Sequence, residues 1–424
     1  MLLAFAGACR HSYTCSQRMN IQTRLRMTKA ACVKRSGLWS IPARTMALAC
    51  LLVFMAQMAT TVYLPSLPTV MRELAMSRRA TELSISIFVI GAALPVLFWG
   101  AAADRFGRRA PLTLSLFLFI GCSGLLALCS NGAQLLTLRA LQGVGAGGAA
   151  IIARIIVRDN WSGDELARRL SVLSIAFITA LGGGQFVGGL LSQYSHWQMG
   201  FVLMGATGLA ILALMATLPL EAGRARGPRP AMAATYFAIL RRPGFFWPAC
   251  VGGLGFATTV TLQEVSPFVM QQGFGLNVTA FGALGLVIGI AYFSGALTVN
   301  RTVARLGGKK LMQAGSGIVA LATAAILLLW WSGVLAGLSG MALFIALYCL
   351  TIFGQAVLFP NSMAMAVSDA KEYGAYAMAL CGFLQQCLAG VAAAGAVLLE
   401  HHGLWALAIA LLGLGGWLMV KLRM

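Results

Sequence analysis

The sequence predicts an all-α membrane protein with twelve transmembrane helices in two pseudo-symmetric six-helix bundles. Hydrophobic residues make up 59% of its 424 residues and charged residues only 10%. Soluble domains average about 45–50% apolar and about 25% charged residues, so this chain cannot cover a water-facing surface. A second observation is the distribution of the apolar residues, which form twelve long runs, six on either side of a polar linker.

Each run is long enough for one bilayer crossing, which needs about 20 mostly apolar residues. We number the runs as spans 1 to 12. They cover about residues 46–67, 82–103, 111–129, 134–157, 170–191, 199–219, 244–270, 279–299, 311–331, 337–367, 375–399 and 404–420. The predicted domains are an N-terminal tail (1–45), a first bundle (46–219), a polar linker broken by prolines (220–243) and a second bundle (244–424).

The N-terminal tail contains eight Lys and Arg residues and no acidic residue. Its apolar stretch, Leu2 to Cys9, precedes the charges and is too short for a secretory signal. The acid-free, Arg-rich composition also fits a mitochondrial transit peptide. We favour a cytoplasmic tail or a start codon assigned too early, with the functional start near Met46.

The net charge of +20 is explained by topology. If the N-terminus is cytoplasmic, 26 of the 31 Lys and Arg residues fall on cytoplasmic segments. Only Arg72, Arg78 and Arg79 fall on outer connections. The positive-inside rule therefore predicts cytoplasmic N- and C-termini. It also argues against nucleic acid as a partner, because the basic residues form no concentrated module.

The sequence shows no constellation for catalysis or metal binding. The ten cysteines are scattered singly, and the four histidines lie outside the apolar runs. No ATP-binding GxxxxGK[ST] loop is present. We therefore expect neither an enzyme nor a cofactor.

The connection between spans 2 and 3, Gly100-Ala-Ala-Ala-Asp104-Arg105-Phe-Gly107-Arg108-Arg109, resembles a signature of the major facilitator superfamily. Gly100 would permit close helix contact, and Gly107 would make the turn. The resemblance implies that Asp104, Arg105 and Arg108 latch a cytoplasmic gate. A glycine-bearing helix end with a basic turn recurs at Gly295 to Lys310, as expected for repeated halves that rock about a central site.

Spans 4 and 5 carry two further motifs. Arg139 lies about a turn into span 4, where an arginine should face the bundle interior because it is costly in lipid. Span 5 contains Gly184, Gln185, Gly188 and Gly189, similar to the G-P-x-x-G-G element of the antiporter branch. Gln185 replaces the usual proline, so the proline kink is absent.

Three stretches resemble the Bcr/CflA-type bicyclomycin and chloramphenicol resistance transporters. They begin at Thr60 in span 1, at Ala153 after span 4 and at Leu358 in span 10, continuing into span 11. The resemblance implies a multi-pass protein of the bacterial inner membrane that exports small amphipathic compounds in exchange for protons by alternating access. We expect it to be a monomer.

One departure from this family concerns the coupling acid. The family pattern in span 1 is T-D-x-Y-L-P, and here Thr61 stands in place of the aspartate. Of the eleven carboxylates only Glu264 lies well within a span, and span 7 is the counterpart of span 1. We therefore expect Glu264 to couple protons together with Arg139. The alternative is that Glu264 is hydrated near the outer end of span 7 or paired with Arg139.

Other polar intramembrane residues are candidates to line a substrate cavity, although ordinary packing is an alternative for each: Gln57, Thr61, Tyr63, Gln142, Gln263, Asn361 and Gln385. The missing acid of span 1 favours a rival function, a narrow-specificity exporter of a siderophore, nucleoside or sugar. A non-transporting membrane sensor is a further alternative, which the intact gate motif argues against.

Overall fold

The computed structural model describes residues 41–161, 163–218, 232–334, 337–370, 374–398 and 404–423. Within these residues, twelve segments are helical, long and apolar enough to cross a membrane. Their helices are Ile41–Thr61 with Leu67–Glu73 (span 1), Arg78–Ala93 with Val96–Phe106 (span 2), Arg109–Leu126, Gly132–Asn160, Gly163–Tyr194, Gln198–Ala216, Pro243–Phe268 (span 7), Val278–Leu306, Gly308–Trp331, Gly337–Asp369, Gly374–Leu398 and Trp405–Arg423 (span 12). The predicted fold class is confirmed.

Spans 1 and 7 change their helical geometry near corresponding prolines. The first helix of span 1 ends at Thr61, and a 3₁₀ turn follows at Leu64–Ser66. In span 7, Pro267 precedes a π-helical turn at Val269–Gly273. Proline has no backbone N–H to donate, so one hydrogen bond of each helix is lost there. The break is shared by the two halves, as internal repetition predicts.

The short connections between spans 2 and 3 and between spans 8 and 9 are also alike in the two halves. Gly107 has φ 82° and Gly307 has φ 79°, and each ends one helix directly before the next begins. A side chain with a β-carbon rarely adopts this conformation, whereas glycine does so readily. The turn predicted at Gly107 is confirmed. We call the end of the molecule that carries these two turns the basic end, and the other the opposite end.

The predicted polar linker contains a short helix, Met232–Leu240. Ile239 is fully buried in a cluster with Phe245 of span 7 and Ala377 of span 11. The helix forms because apolar, helix-compatible residues occupy this part of the linker. The remainder of the linker, residues 220–231, and tail residues 1–40 lie outside the described residues.

The two halves are in contact in the part of the bundle that lies towards the opposite end. Gln271 of span 7 donates a hydrogen bond to the carbonyl oxygen of Pro65 in span 1 (2.9 Å). Span 5 packs along span 8, and span 2 packs along span 11. At the basic end, Arg242 donates to the carbonyl oxygen of Asp369 (3.0 Å) within the second half. This conformation is therefore closed at the opposite end.

Candidate transport site

A cleft lies between the two halves, from mid-membrane towards the basic end. Its cavity volume in this conformation is about 80 Å³. Phe88 and Phe177 of the first half and Phe256 of the second contribute aromatic surface, while Gln57 and Gln386 contribute one amide from each half. Small-molecule sites are typically about 300–1,000 Å³, mostly apolar and fitted with a few polar groups. The cleft has the lining for a small amphipathic molecule, and with a volume of about 80 Å³ it has to widen before it can hold one.

Arg154 is the one charged side chain among the described residues that line this cleft. It lies in span 4, about 12 Å from the middle of that helix towards the basic end, given a rise of about 1.5 Å per residue. Arg154 is the second residue of the family-like stretch that begins at Ala153, and no role was predicted for it. A signal was available: at about 100° per residue, Arg154 lies only about 60° around the helix from Arg139. Both arginines therefore share the inward face.

Arg139 is fully buried in the first half, as predicted. One of its terminal nitrogens donates to the carbonyl oxygen of Ala59 (3.0 Å) and to Oε1 of Gln142 (2.8 Å). Its guanidinium lies 4.3 Å from the ring centroid of Phe88 and 5.0 Å from that of Tyr63. Arg139 thus ties spans 1, 2 and 4 together through hydrogen bonds and cation–π contacts.

Glu264 lies at the interface between the two halves. It is fully buried in span 7, and its Oε1 accepts a hydrogen bond from the hydroxyl of Ser86 in span 2. Towards the opposite end, the guanidinium of Arg78 lies 4.8 Å from the ring centroid of Phe268 and joins the same two spans. Burial contradicts the hydrated alternative for Glu264. Among the described residues, no carboxylate forms an ion pair with Arg139, so these two predicted coupling residues are not in contact here.

Thr61, which replaces the family's acid, faces span 5. Its hydroxyl donates to the carbonyl oxygen of Ala180 (2.9 Å), and the side chain is fully buried beside Gly184. Thr61 therefore does not line the cleft. Its hydroxyl serves a helix–helix contact, because threonine can donate to a carbonyl oxygen that an ionised aspartate could not approach favourably.

The span 5 motif forms a closely packed seam on both sides. A β-carbon on Gly188 would collide with the backbone of span 1, and one on Gly189 would lie 2.8 Å from Cα of Gly282 in span 8. Gln185 donates through Nε2 to the carbonyl oxygen of Phe281 (2.9 Å). The residue that replaces the family's proline thus links the two halves directly.

The gate motif is organised around Arg108, which is largely buried. Its Nε lies 2.7 Å from a carboxylate oxygen of Asp159 at the end of span 4, and Nη1 donates to the carbonyl oxygen of Ala103 (2.8 Å). Arg158 also pairs with Asp159 (3.2 Å). Arg108 therefore joins the turn between spans 2 and 3 to span 4 within the first half.

Three other predicted gate residues have different outcomes. The close helix contact predicted at Gly100 is absent, because a β-carbon there would have no atom within 4 Å. Gly100 faces open space in this conformation. Arg105 is exposed, with its guanidinium 5.3 Å from the ring centroid of the adjacent Phe106. The side chain of Asp104 lies outside the described part of the chain.

Of the seven predicted cavity residues, Gln57 lines the cleft and the others lie elsewhere. The buried residues away from it are Thr61, Tyr63, Gln142, Gln263, Asn361 and Gln385. Most of these satisfy hydrogen bonds inside one half. Gln142, for example, donates to the hydroxyl of Ser123 (2.9 Å), and Asn361 donates to the carbonyl oxygen of Val357 (2.7 Å). In lipid, a polar side chain stabilises helix packing as readily as it lines a cavity.

Two six-helix halves with a cleft between them define a secondary transporter fold. The sequence profile of the Major Facilitator Superfamily matches residues 49–394. The chain belongs to this superfamily.

Individual relatives and solved structures agree with this assignment. The chain is 25% identical to multidrug resistance protein D of Escherichia coli (strain K12) over 384 residues, which cover 88% of this chain and 95% of that protein. It is 22% identical to a bicyclomycin resistance protein homolog of Haemophilus influenzae over 334 residues, or 76% and 80% of the two chains. The crystal structure of a D-xylose-proton symporter matches with a TM-score of 0.73 at 16% identity, covering 91% of this chain and 98% of that one. That structural match shows the fold.

Proposed function

We propose that this protein exports small amphipathic compounds in exchange for protons, by alternating access. The observation that carries the proposal is Glu264, a carboxylate buried between the two halves and hydrogen-bonded across them to Ser86. Relatives named for multidrug and bicyclomycin resistance support export of this class of compound. The aromatic and amide lining of the cleft supports it as well.

The position of Glu264 links its proton to the movement of the halves. A hydrogen bond to an ionised carboxylate is roughly twice as strong as one to a neutral group. Ionised Glu264 therefore favours the conformation in which span 7 is held against Ser86 of span 2. Protonation weakens this contact and favours parting of the halves at the opposite end. A proton taken up there would be released when the halves close again.

We further propose that the basic end faces the cytoplasm of a bacterial cell, with both termini on that side of the inner membrane. The distribution of Lys and Arg supports this orientation through the positive-inside rule. In this orientation, closure at the opposite end makes the conformation inward-facing. We expect a monomer, because each chain contains both halves of the cleft.

Proton coupling is tested by Glu264→Gln in everted membrane vesicles energised to build a proton gradient. A fluorescent pH reporter follows proton release when neutral, anionic and cationic aromatic compounds are added. We expect Glu264→Gln to abolish compound-induced proton movement while gradient-independent exchange of the same compound persists. Glutamine keeps the size and can still accept from Ser86, but it carries no titratable proton.

The matched control is Glu73→Gln, which removes a carboxylate near the same end of the molecule. Glu73 accepts a hydrogen bond from Nε1 of Trp197 (2.6 Å) within the first half and does not lie between the halves. We expect this variant to retain proton coupling. Proton movement in Glu264→Gln equal to that in wild type would refute the role of Glu264.

A second candidate function is export of one narrow class of metabolite. It is favoured by Thr61, which replaces the family's acid and donates to Ala180 rather than facing the cleft. Among the described lining residues, no carboxylate is available to attract a lipophilic cation. A panel of compounds that differ only in charge separates the two functions.

A further inference from the structure

We propose that the cleft selects amphipathic molecules that carry an anionic group, and that Arg154 binds this group. The proposal rests on the proposed transport function and specifies its substrate class. Arg154 supplies the only charge among the described lining residues of the cleft. It is a positive charge, whereas a site for lipophilic cations requires a negative one.

The guanidinium of Arg154 is available for a ligand. The other interior arginine of span 4, Arg139, donates two hydrogen bonds and stacks on two rings. Arg154 has neither a hydrogen bond nor an ion pair with any described residue. An arginine inside a membrane-spanning bundle is costly unless it faces water or a partner. An anion entering the cleft would supply that partner.

Arginine also fits this role by its geometry. Its planar guanidinium donates two parallel hydrogen bonds to a carboxylate, which adds orientation to the charge attraction. Ala150, Gly147 and Ala146 of the same helix also line the cleft. Gly147 lies against the backbone of Ala92 in span 2, where a β-carbon would collide with the carbonyl oxygen, so span 2 forms the neighbouring wall.

The other lining residues of the cleft indicate the chemistry of the rest of the ligand. Phe88, Phe177 and Phe256 present aromatic surface suited to a flat apolar body. At mid-membrane, the buried Oε1 of Gln386 accepts no hydrogen bond from a described residue. This oxygen can accept from a donor on the ligand. The backbone of Arg154 lies about 12 Å from mid-membrane along span 4, and its guanidinium is closer than this by the reach of the side chain. The expected ligand is an elongated aromatic acid with a hydrogen-bond donor at its far end.

Binding affinity is measured by equilibrium dialysis of the detergent-solubilised full chain against three compounds of one shape. Protein-free micelles serve as the blank. The probes are 6-hydroxy-2-naphthoate, its neutral primary amide and its cationic aminomethyl analogue. We expect the acid to bind about tenfold more tightly than the amide, the difference between a charge-assisted pair and a neutral hydrogen bond. The cation should bind most weakly.

Arg154→Gln tests the residue itself. It should reduce affinity for the naphthoate about tenfold and leave affinity for the amide unchanged. Arg154→Lys keeps the charge and should recover part of the loss. Arg301→Gln is the matched control, because it removes an exposed arginine near the basic end that does not line the cleft. It should bind all three compounds as wild type does.

Several results would overturn the proposal. Equal binding of acid and amide, tightest binding of the cation, or no binding of any probe would exclude an anion site in the cleft. An equal loss of both acid and amide in Arg154→Gln would indicate a packing role. Displacement of the naphthoate by phosphatidylglycerol would assign the arginine to a lipid headgroup.

The test is independent of proton coupling because it uses no gradient. If vesicles move protons with neutral or cationic compounds only, the anion proposal fails and the transport proposal stands. If the naphthoate binds through Arg154 but no compound moves protons, the transport proposal fails and the binding site stands.

Discussion

Gly189 provides a direct test of how spans 5 and 8 hold the two halves together. An added β-carbon at this position would lie 2.8 Å from Cα of Gly282 and 2.9 Å from the carbonyl oxygen of Val278. Ordinary contacts of a β-carbon begin at 3.4 Å, so the two helices would have to separate by about 0.6 Å. Overpacking of this kind costs about 1–3 kcal/mol.

This cost falls on the conformation closed at the opposite end, because the seam between spans 5 and 8 exists there. Gly189→Ala should therefore shift the equilibrium towards the conformation open at that end by about 5- to 150-fold. Gly183→Ala is the matched control. It lies on the same helix, and its β-carbon would have no atom within 4 Å. Alanine there should leave the equilibrium unchanged and stabilise the helix by up to about 1 kcal/mol.

The assay is double electron–electron resonance between spin labels on Leu128 and Val334, with the native cysteines replaced by alanine. Both positions are exposed, on the connections between spans 3 and 4 and between spans 9 and 10, so each half carries one label at the opposite end. Gly189→Ala should move the distance distribution to longer values. An unchanged distribution, or an equal shift in Gly183→Ala, would refute this account of the seam.

Two further predictions concern contacts within the first half. Thr61→Asp should lower stability by about 1–3 kcal/mol, because an ionised carboxylate cannot donate to the carbonyl oxygen of Ala180, whereas Thr61→Ser keeps the donor and should lose less. Thermal unfolding in detergent compares the two, and equal stability of the aspartate variant would contradict the contact. Arg108→Gln and Asp159→Asn should each lower stability, with a coupling free energy of about 1 kcal/mol for this partly exposed pair. A double-mutant cycle measures it, and strictly additive effects would show that the pair contributes nothing.

Several features of the site were predictable from local sequence, because in each case a single residue type is restricted to one environment or one backbone conformation. Gly107 had to adopt a positive φ in the short turn between spans 2 and 3. Arg139 had to face the interior, since an arginine in contact with lipid is costly. Glu264 stood out because it was the one carboxylate well within a span.

Other features could not be predicted, because they depend on which helices meet. Ser86 is a small hydroxyl residue in an apolar run, and nothing local indicates that it donates to Glu264, 178 positions away along the chain. Thr61 lies near two cleft residues in the sequence but faces span 5, because helix rotation turns neighbouring side chains to different sides. Gly100 was expected in a close contact that this conformation does not contain.

By itself, the sequence determined the membrane class, the number of spans, the expected orientation and the repeated halves. The hydrophobicity, charge and glycine content of a segment can be read from that segment alone, and the bilayer selects spans and their orientation by these local properties. Only the tertiary structure decided which polar side chains hold helices together and which line the cleft. It distinguished Arg139, which is enclosed by its own half, from Arg154, which lines the cleft between the halves. The physical reason is that every buried polar group in a bilayer must find a partner, and the packing of distant helices determines whether that partner is protein or ligand.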